Sequence, residues 1–196
     1  LRGMRKTIAD RMMLSVQSKA QVTLTTEVDV TGLVRLREGL LSQWRPHRIR
    51  PLDLDLVVKA TAAVLRGNPR LNATLVDEQV RTMRDVNVGV AMAVPDGLIV
   101  PVIRKADEKD LLSIAREIRE MADRSRKGEL SVDDMTDATF TITSLAGYGI
   151  DAFTPIIDPP QVAILGVGRI VEKPAVSEGE VVVRSLMSLS LTFDHR

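Results

Sequence analysis

The spacing of apolar residues changes period near the start of the chain. Met4, Ile8, Met12 and Ser15, with Arg11 among them, recur every three or four positions between lysines and arginines, which predicts a helix over 4–18. From Val22 the period falls to two: Val22, Leu24, Thr26, Val28 and Val30 alternate with Thr23, Thr25, Glu27 and Asp29, the pattern of a half-buried strand. Thr31-Gly32 then reads as a cap, and Leu33, Leu36, Leu40 and Leu41 form the stripe of a second helix. A third helix over 53–66 is apolar nearly all round, which predicts burial, and Gly67-Asn68-Pro69 ends it.

Strands are predicted over 73–76, 86–94 and 98–103, the last two joined at Pro95-Asp96-Gly97, because Asp-Gly is a strong hairpin signal. Asp110 caps a fourth, amphipathic helix built on Leu111, Leu112, Ile114, Ala115, Ile118, Met121 and Ala122. Arg116-Glu117 and Arg119-Glu120 fall on its wet face, and Gly128 closes it. A strand over 139–144 runs into the loop Ala146-Gly147-Tyr148-Gly149, and an apolar run follows at 162–167. A final pair of strands over 181–184 and 186–193 alternates Leu186, Ser188, Ser190 and Thr192 with Met187, Leu189, Leu191 and Phe193. The sum is about eight strands and four helices in one α/β domain, with no internal repeat or linker.

Composition narrows the chemistry. There is no cysteine, which excludes a thiol nucleophile, a disulfide framework, a zinc ribbon and an iron–sulfur cluster. The two histidines, His47 and His195, are too far apart in sequence to suggest a metal site, so no metal is expected. Net charge is +1 and aromatics are 3%, so neither a basic excess nor a set of stacking platforms points to nucleic acid. No apolar run reaches the roughly 18 residues of a membrane helix, and no signal-peptide pattern occurs, so no membrane partner is expected. The chain starts at Leu1 without Met and stops after Asp194-His195-Arg196 within a strand pattern, as expected of a fragment.

Several motifs read as structural. Gly166-Val167-Gly168 lacks the third glycine and the following helix of a dinucleotide fingerprint. The basic loop over 44–51 reads as solvated rather than as a phosphate site, and Asp133-Asp134 as charges capping a helix start. His195 stands apart. It ends an apolar strand between Asp194 and Arg196, at the rim of a sheet, and is the best candidate for proton transfer near neutral pH.

Three segments, Thr139-Phe140-Thr141-Ile142-Thr143-Ser144-Leu145, Phe153-Thr154-Pro155-Ile156-Ile157-Asp158-Pro159-Pro160 and Ala163-Ile164-Leu165-Gly166-Val167-Gly168, resemble the catalytic domain of dihydrolipoamide acyltransferases. These are the E2 core components of 2-oxoacid dehydrogenase complexes. Gly3-Met4-Arg5-Lys6, Glu27-Val28-Asp29-Val30-Thr31, Pro95-Asp96-Gly97-Leu98-Ile99-Val100-Pro101-Val102 and Leu189-Ser190-Leu191-Thr192-Phe193-Asp194-His195-Arg196 extend the resemblance over the whole chain, in the family's order. The family's active-site motif is His-Arg followed two residues later by Asp-Gly, and the chain ends at its Arg.

The resemblance implies a two-layer sandwich of a mixed β-sheet flanked by helices, like the coenzyme A-dependent acyltransferase fold of chloramphenicol acetyltransferase. It implies acyl transfer, acetyl above all, between dihydrolipoamide and coenzyme A, with the lipoyl group carried on a separate upstream domain. His195 is then the general base and Thr143 the hydroxyl donor to the oxyanion, while Ser144 faces the other way. Arg5 is the implied partner of the motif's acidic residue, and Asp96, Gly97 and Leu98 lie near the substrate channel. His195 and Thr143 meet between adjacent subunits of a trimer that builds a large cubic core, with the lipoyl domain and the E1 and E3 components as further partners. The implied location is the cytoplasm, or the mitochondrial matrix in a eukaryote. A branched-chain acyl group, a scaffold without turnover and a small free acceptor remain as alternatives.

Overall fold

The computed structural model describes residues 2–95 and 97–196, with the Met4 side chain left aside. Helix α1 (Gly3–Ser18) leads into strand β1 (Gln21–Asp29), followed by helices α2 (Thr31–Gln43) and α3 (Asp53–Gly67). Short strands come next: β2 (Ala73–Val76), β3 (Gln79–Thr82), β4 (Val88–Val90), β5 (Met92–Val94), β6 (Gly97–Ile99) and β7 (Val102–Ile103). Helix α4 (Leu111–Lys127) separates these from β8 (Phe140–Ser144) and from two strands of 15 residues, β9 (Ala163–Ser177) and β10 (Glu180–Asp194). Six strands form one mixed sheet in the order β1-β10-β9-β8-β4-β7, in which β8 runs parallel to both β4 and β9 and the other pairs are antiparallel.

The register gives the sheet two unlike faces. Val88, Val90, Phe140, Ile142, Ala163 and Val167 share one apolar face with Leu165, Leu189, Leu191 and Phe193, and join a core with Val57, Val58, Ala62 and Leu65 of α3 and Ile114 and Ile118 of α4. The opposite face, Ile164 apart, carries small and hydroxyl-bearing residues in rows across the strands. One row is Thr23, Thr192, Ile164 and Thr141; the next is Thr25, Ser190, Gly166 and Thr143. Hydroxyls pair along these rows, Thr23 with Thr192 at 2.7 Å and Thr25 with Ser190 at 3.0 Å. Residues 150–160 pack on this side: a Cβ on Gly166 would sit 3.1 Å from the Phe153 ring.

Gly168 shows how close that packing is. A Cβ there would lie 1.7 Å from the Asp151 carbonyl oxygen, and the neighbouring Arg169 amide donates to the Ile150 carbonyl at 2.9 Å. Backbone cannot yield as a flexible side chain can, so Gly168→Ala is expected to cost more than about 3 kcal/mol. A denaturant titration checks this; a loss under about 1 kcal/mol would mean the strand and loop separate freely.

Several elements differ from their sequence expectations. The strand expected over 86–94 divides into β4, inside the sheet, and β5, outside it; that over 98–103 divides at Pro101, which has no amide to donate. Val94 pairs with Gly97 in the expected β5–β6 hairpin. The 162–167 run continues to Ser177, and the segments 181–184 and 186–193 are one strand, not a pair; their partner is β9. β3 was not anticipated. Leu33 packs against the core, whereas Leu36 and Leu41 are exposed, because Val34, Arg37 and Leu40 occupy the rest of the inner face of α2. The Thr31 hydroxyl caps nothing: it accepts from the Ser185 amide of β10, and Asp29 accepts from the Thr31 amide.

α3 is amphipathic rather than apolar all round, with Val64 exposed. Arg119 is not on a wet face. It reaches from α4 to the fully buried Asp55 carboxylate with two bonds of 3.0 and 2.6 Å, tying α4 to α3. Asp134 does more than cap: Arg124 and Ser131 hydrogen-bond it and hold its carboxyl well below the usual carboxylate range. Asp110 and Gly128 terminate α4 as expected, through a 2.7 Å bond from the Ser113 amide and a left-handed backbone.

Candidate active site

His195 follows the last residue of β10 and is exposed. Its amide donates to the Ala20 carbonyl at 2.9 Å, and its ring stacks on Phe193 with centroids 6.0 Å apart and an interplanar angle of 24°. The alternation of β10 therefore continues past the strand end: Phe193 belongs to the apolar face, and the imidazole lies on that side with it.

Thr143 lies half-buried on β8, in the hydroxyl row with Gly166, Ser190 and Thr25. Ser144, next along the strand, is engaged locally, donating to the Val167 carbonyl and accepting from the Ala146 amide, each at 3.3 Å. Thr143 aligns with Ser190, five residues before His195 and two strands from β8, so Thr143 and His195 lie about 20 Å apart. They also face opposite sides of the sheet. One chain does not bring its candidate base and its candidate oxyanion donor together.

The remaining candidates are dispersed. Arg5 is exposed in the first turn of α1, about 20 Å along the helix from the Ser18 end that adjoins the His195 segment. Gly97 and Leu98 lie in the β5–β6 hairpin, which touches α1; Leu98 is exposed and Gly97 half-buried. Asp96 falls outside the described residues. In the basic loop Trp44 is buried while Arg45, His47 and Arg48 face solvent. Gly166-Val167-Gly168 sits within β9.

Sequence reasoning missed a charged cluster behind His195. The Asp194 carboxylate accepts from Arg196 at 3.0 and 2.7 Å, and Lys19 Nζ lies 3.9 Å from it. The bonds from Arg196 hold the Asp194 carboxyl below its ordinary range, and burial pushes the Lys19 ammonium down. The parity of Ser188, Ser190 and Thr192 was the available signal, since it assigns Asp194 to the hydroxyl face. There a cavity of about 310 Å³ opens between Lys19, Gln21, Thr23, Thr192, Thr154 and Pro155. Beside it, burial pushes the Asp158 carboxyl up against the pull of Arg11, 2.9 Å away.

This mixed sheet, with helices on its apolar face, is the architecture of the chloramphenicol acetyltransferase-like acyltransferases. A chloramphenicol acetyltransferase superimposes with a TM-score of 0.51 at 15% identity, covering 99% of this chain and 87% of that one, a likeness of fold alone. The family follows from the sequence: residues 1–196 match the model of the 2-oxoacid dehydrogenases acyltransferase (catalytic domain), and the chain belongs to that family.

Among relatives, the dihydrolipoyllysine-residue acetyltransferase components of the acetoin cleaving system and of the pyruvate dehydrogenase complex of Bacillus subtilis are 39% and 41% identical over 99% of this chain. The chain spans about half the length of these relatives, 49% and 44%. A probable dihydrolipoamide acetyltransferase from Listeria monocytogenes superimposes with a TM-score of 0.96 at 38% identity, over 100% of this chain and 84% of that one. The Azotobacter vinelandii dihydrolipoamide acetyltransferase, studied for the roles of a serine, a histidine and an asparagine in its catalytic mechanism, gives 0.94 at 35% identity, over 100% and 82%. The cubic core of a pyruvate dehydrogenase multienzyme complex also gives 0.94 at 35%, over 98% and 80%.

Proposed function

We propose that this chain transfers an acetyl group between the dihydrolipoyl group of a lipoyl domain and coenzyme A, in the oligomeric core of a 2-oxoacid dehydrogenase complex. The observation that carries the residue assignment is a spacing. In the Azotobacter enzyme the serine and the histidine named for their catalytic roles are 52 positions apart, and so are Thr143 and His195.

The chemistry follows from the residues. With no cysteine in the chain, both reacting thiols belong to the substrates. A free thiol has a pKa of about 8.5, so at neutral pH it needs a base to become a nucleophile. The His195 imidazole takes the thiol proton as sulfur attacks the thioester carbonyl. The carbonyl oxygen becomes an oxyanion, to which the Thr143 hydroxyl donates. The tetrahedral intermediate collapses, the C–S bond to the departing thiol breaks, and that thiolate takes the proton back from the imidazolium. Coenzyme A and the lipoyl arm are substrates here, and the chain supplies base, donor and walls.

His195 and Thr143 lie on opposite faces of one chain, so the site forms where two subunits meet. A trimer provides three such sites by rotation, and a cubic core, whose corners carry threefold symmetry, is reported for a related pyruvate dehydrogenase complex. The lipoyl domain and the E1 and E3 components are the partners of this reading. Pro95-Asp96-Gly97-Leu98 resembles the acetyl-transferring members more than the succinyl-transferring ones, which tend to carry Arg in place of Asp before Gly-Leu, and the two relatives named as acetyltransferases support the same choice.

The test is transfer from acetyl-CoA to free dihydrolipoamide by the full chain, followed chromatographically as conversion of acetyl-CoA to coenzyme A and of dihydrolipoamide to its S-acetyl form. The reading requires turnover with acetyl-CoA that exceeds turnover with succinyl-CoA. An assembled protein that transfers no acetyl group would overturn it.

A further inference from the structure

The carboxylate behind His195 is built to a higher specification than an exposed strand end requires. The Asp194 and Lys19 side chains are 2% and 4% exposed. Arg196 grips the same carboxylate with Nε and Nη2, and Nη2 also donates to the Ser18 carbonyl at 2.7 Å. The backbone is pinned in step: the Asp194 amide donates to the Val162 carbonyl at 2.8 Å and the His195 amide to the Ala20 carbonyl at 2.9 Å. Four contacts thus join the end of β10 to the α1–β1 junction on one side and to the start of β9 on the other.

Stability alone is a poor reason for this arrangement. Desolvating charges costs several kcal/mol per ion, and well-packed apolar residues of similar volume often hold a fold as well or better. Charged groups with directional bonds give a fixed geometry instead. The cluster lies on the hydroxyl face, while the imidazole lies on the Phe193 side, so it acts on the His195 backbone and not on the ring.

We infer that Lys19, Asp194 and Arg196 are positioning residues, a clamp that sets the height and angle at which His195 is presented across the subunit boundary to the Thr143 of a neighbouring chain. The inference rests on the proposed role of His195 as the base. A shift of about 1 Å in a catalytic group can cost on the order of 100-fold in rate, and a clamp of this kind prevents such a shift.

The test is steady-state acetyl transfer by the full chain carrying Asp194→Asn, Lys19→Met, the double change or Lys19→Arg, with melting temperature and particle size recorded for each. Asp194→Asn and Lys19→Met are each expected to lower kcat about 100-fold while KM for both substrates stays within about twofold. The double variant is expected to lose little more than either single, as residues acting in one unit do. Lys19→Arg keeps the charge and recovers most of kcat. Wild-type kcat in either single variant would overturn the inference. So would a loss that follows the folded fraction, or one that appears in KM. Lys19→Met keeps the aliphatic stem and leaves Asp194 paired with Arg196, so it remains informative if Asp194→Asn fails to fold. His195→Ala, assayed in parallel, separates two failures. If it retains kcat, the role of His195 is wrong; if it is inactive while the clamp variants are not, the clamp is wrong.

Discussion

His195→Ala is expected to lower kcat for acetyl transfer by about 100- to 10,000-fold, the range for a positioned general base. The imidazole is exposed at a strand end, stacked on Phe193, so its removal opens no cavity in the core. Melting temperature and particle size are therefore expected to stay at wild-type values. KM is expected to change little, because the ring acts as the thiol loses its proton and not when the substrate docks. Kinetics on the assembled protein check this. A His195→Ala enzyme within tenfold of wild type would assign the proton to another group.

Thr143→Ala is expected to cost about 100- to 1000-fold in kcat, the usual effect of removing one oxyanion donor, while Thr143→Ser retains most of the activity. The contrast between the two variants is the informative part. Serine keeps the hydroxyl and loses a methyl group; alanine loses the hydroxyl. Thr143 is half-buried in the row beside Gly166, so either change alters stability by no more than about 1 kcal/mol. Equal losses in the two variants would make Thr143 a packing residue.

These assignments were legible in unequal degree. α4 could be read because Asp110 and Gly128 mark its ends with distinct backbone chemistry, and the β5–β6 hairpin because Asp-Gly marks a turn. The outer half of β9 could not, since Gly168 and Pro174 resemble interruptions. In the fold Gly168, like Gly166, is where residues 150–160 press against the sheet, and Pro174 faces Val183 in the ladder. Arg119 looked solvent-facing because its long side chain follows the polar positions of α4, yet its guanidinium reaches a buried carboxylate on α3. Leu36 and Leu41 belong to a stripe of leucines that suggests burial, yet both are exposed because Val34, Arg37 and Leu40 share the inner face of α2 with Leu33.

The site divides in the same way. His195 and Thr143 are proposed from a resemblance and from where they fall on their strands. Lys19 is not, because a lysine at a helix end reads as a solvated charge until β10 is seen to deliver Asp194 beside it. That Thr143 and His195 occupy opposite faces depends on the register of three strands, which no local pattern encodes.

The central claim is that one active site draws its base and its oxyanion donor from two chains, and complementation tests it directly. His195→Ala and Thr143→Ala protein, each inactive alone, are unfolded together, reassembled in equal amounts and assayed for acetyl transfer. Random mixing pairs an intact His195 with an intact Thr143 across about one quarter of the interfaces, so about a quarter of wild-type activity is expected to return. Activity no higher than that of the two parent variants, in particles of wild-type size, would contradict a shared site.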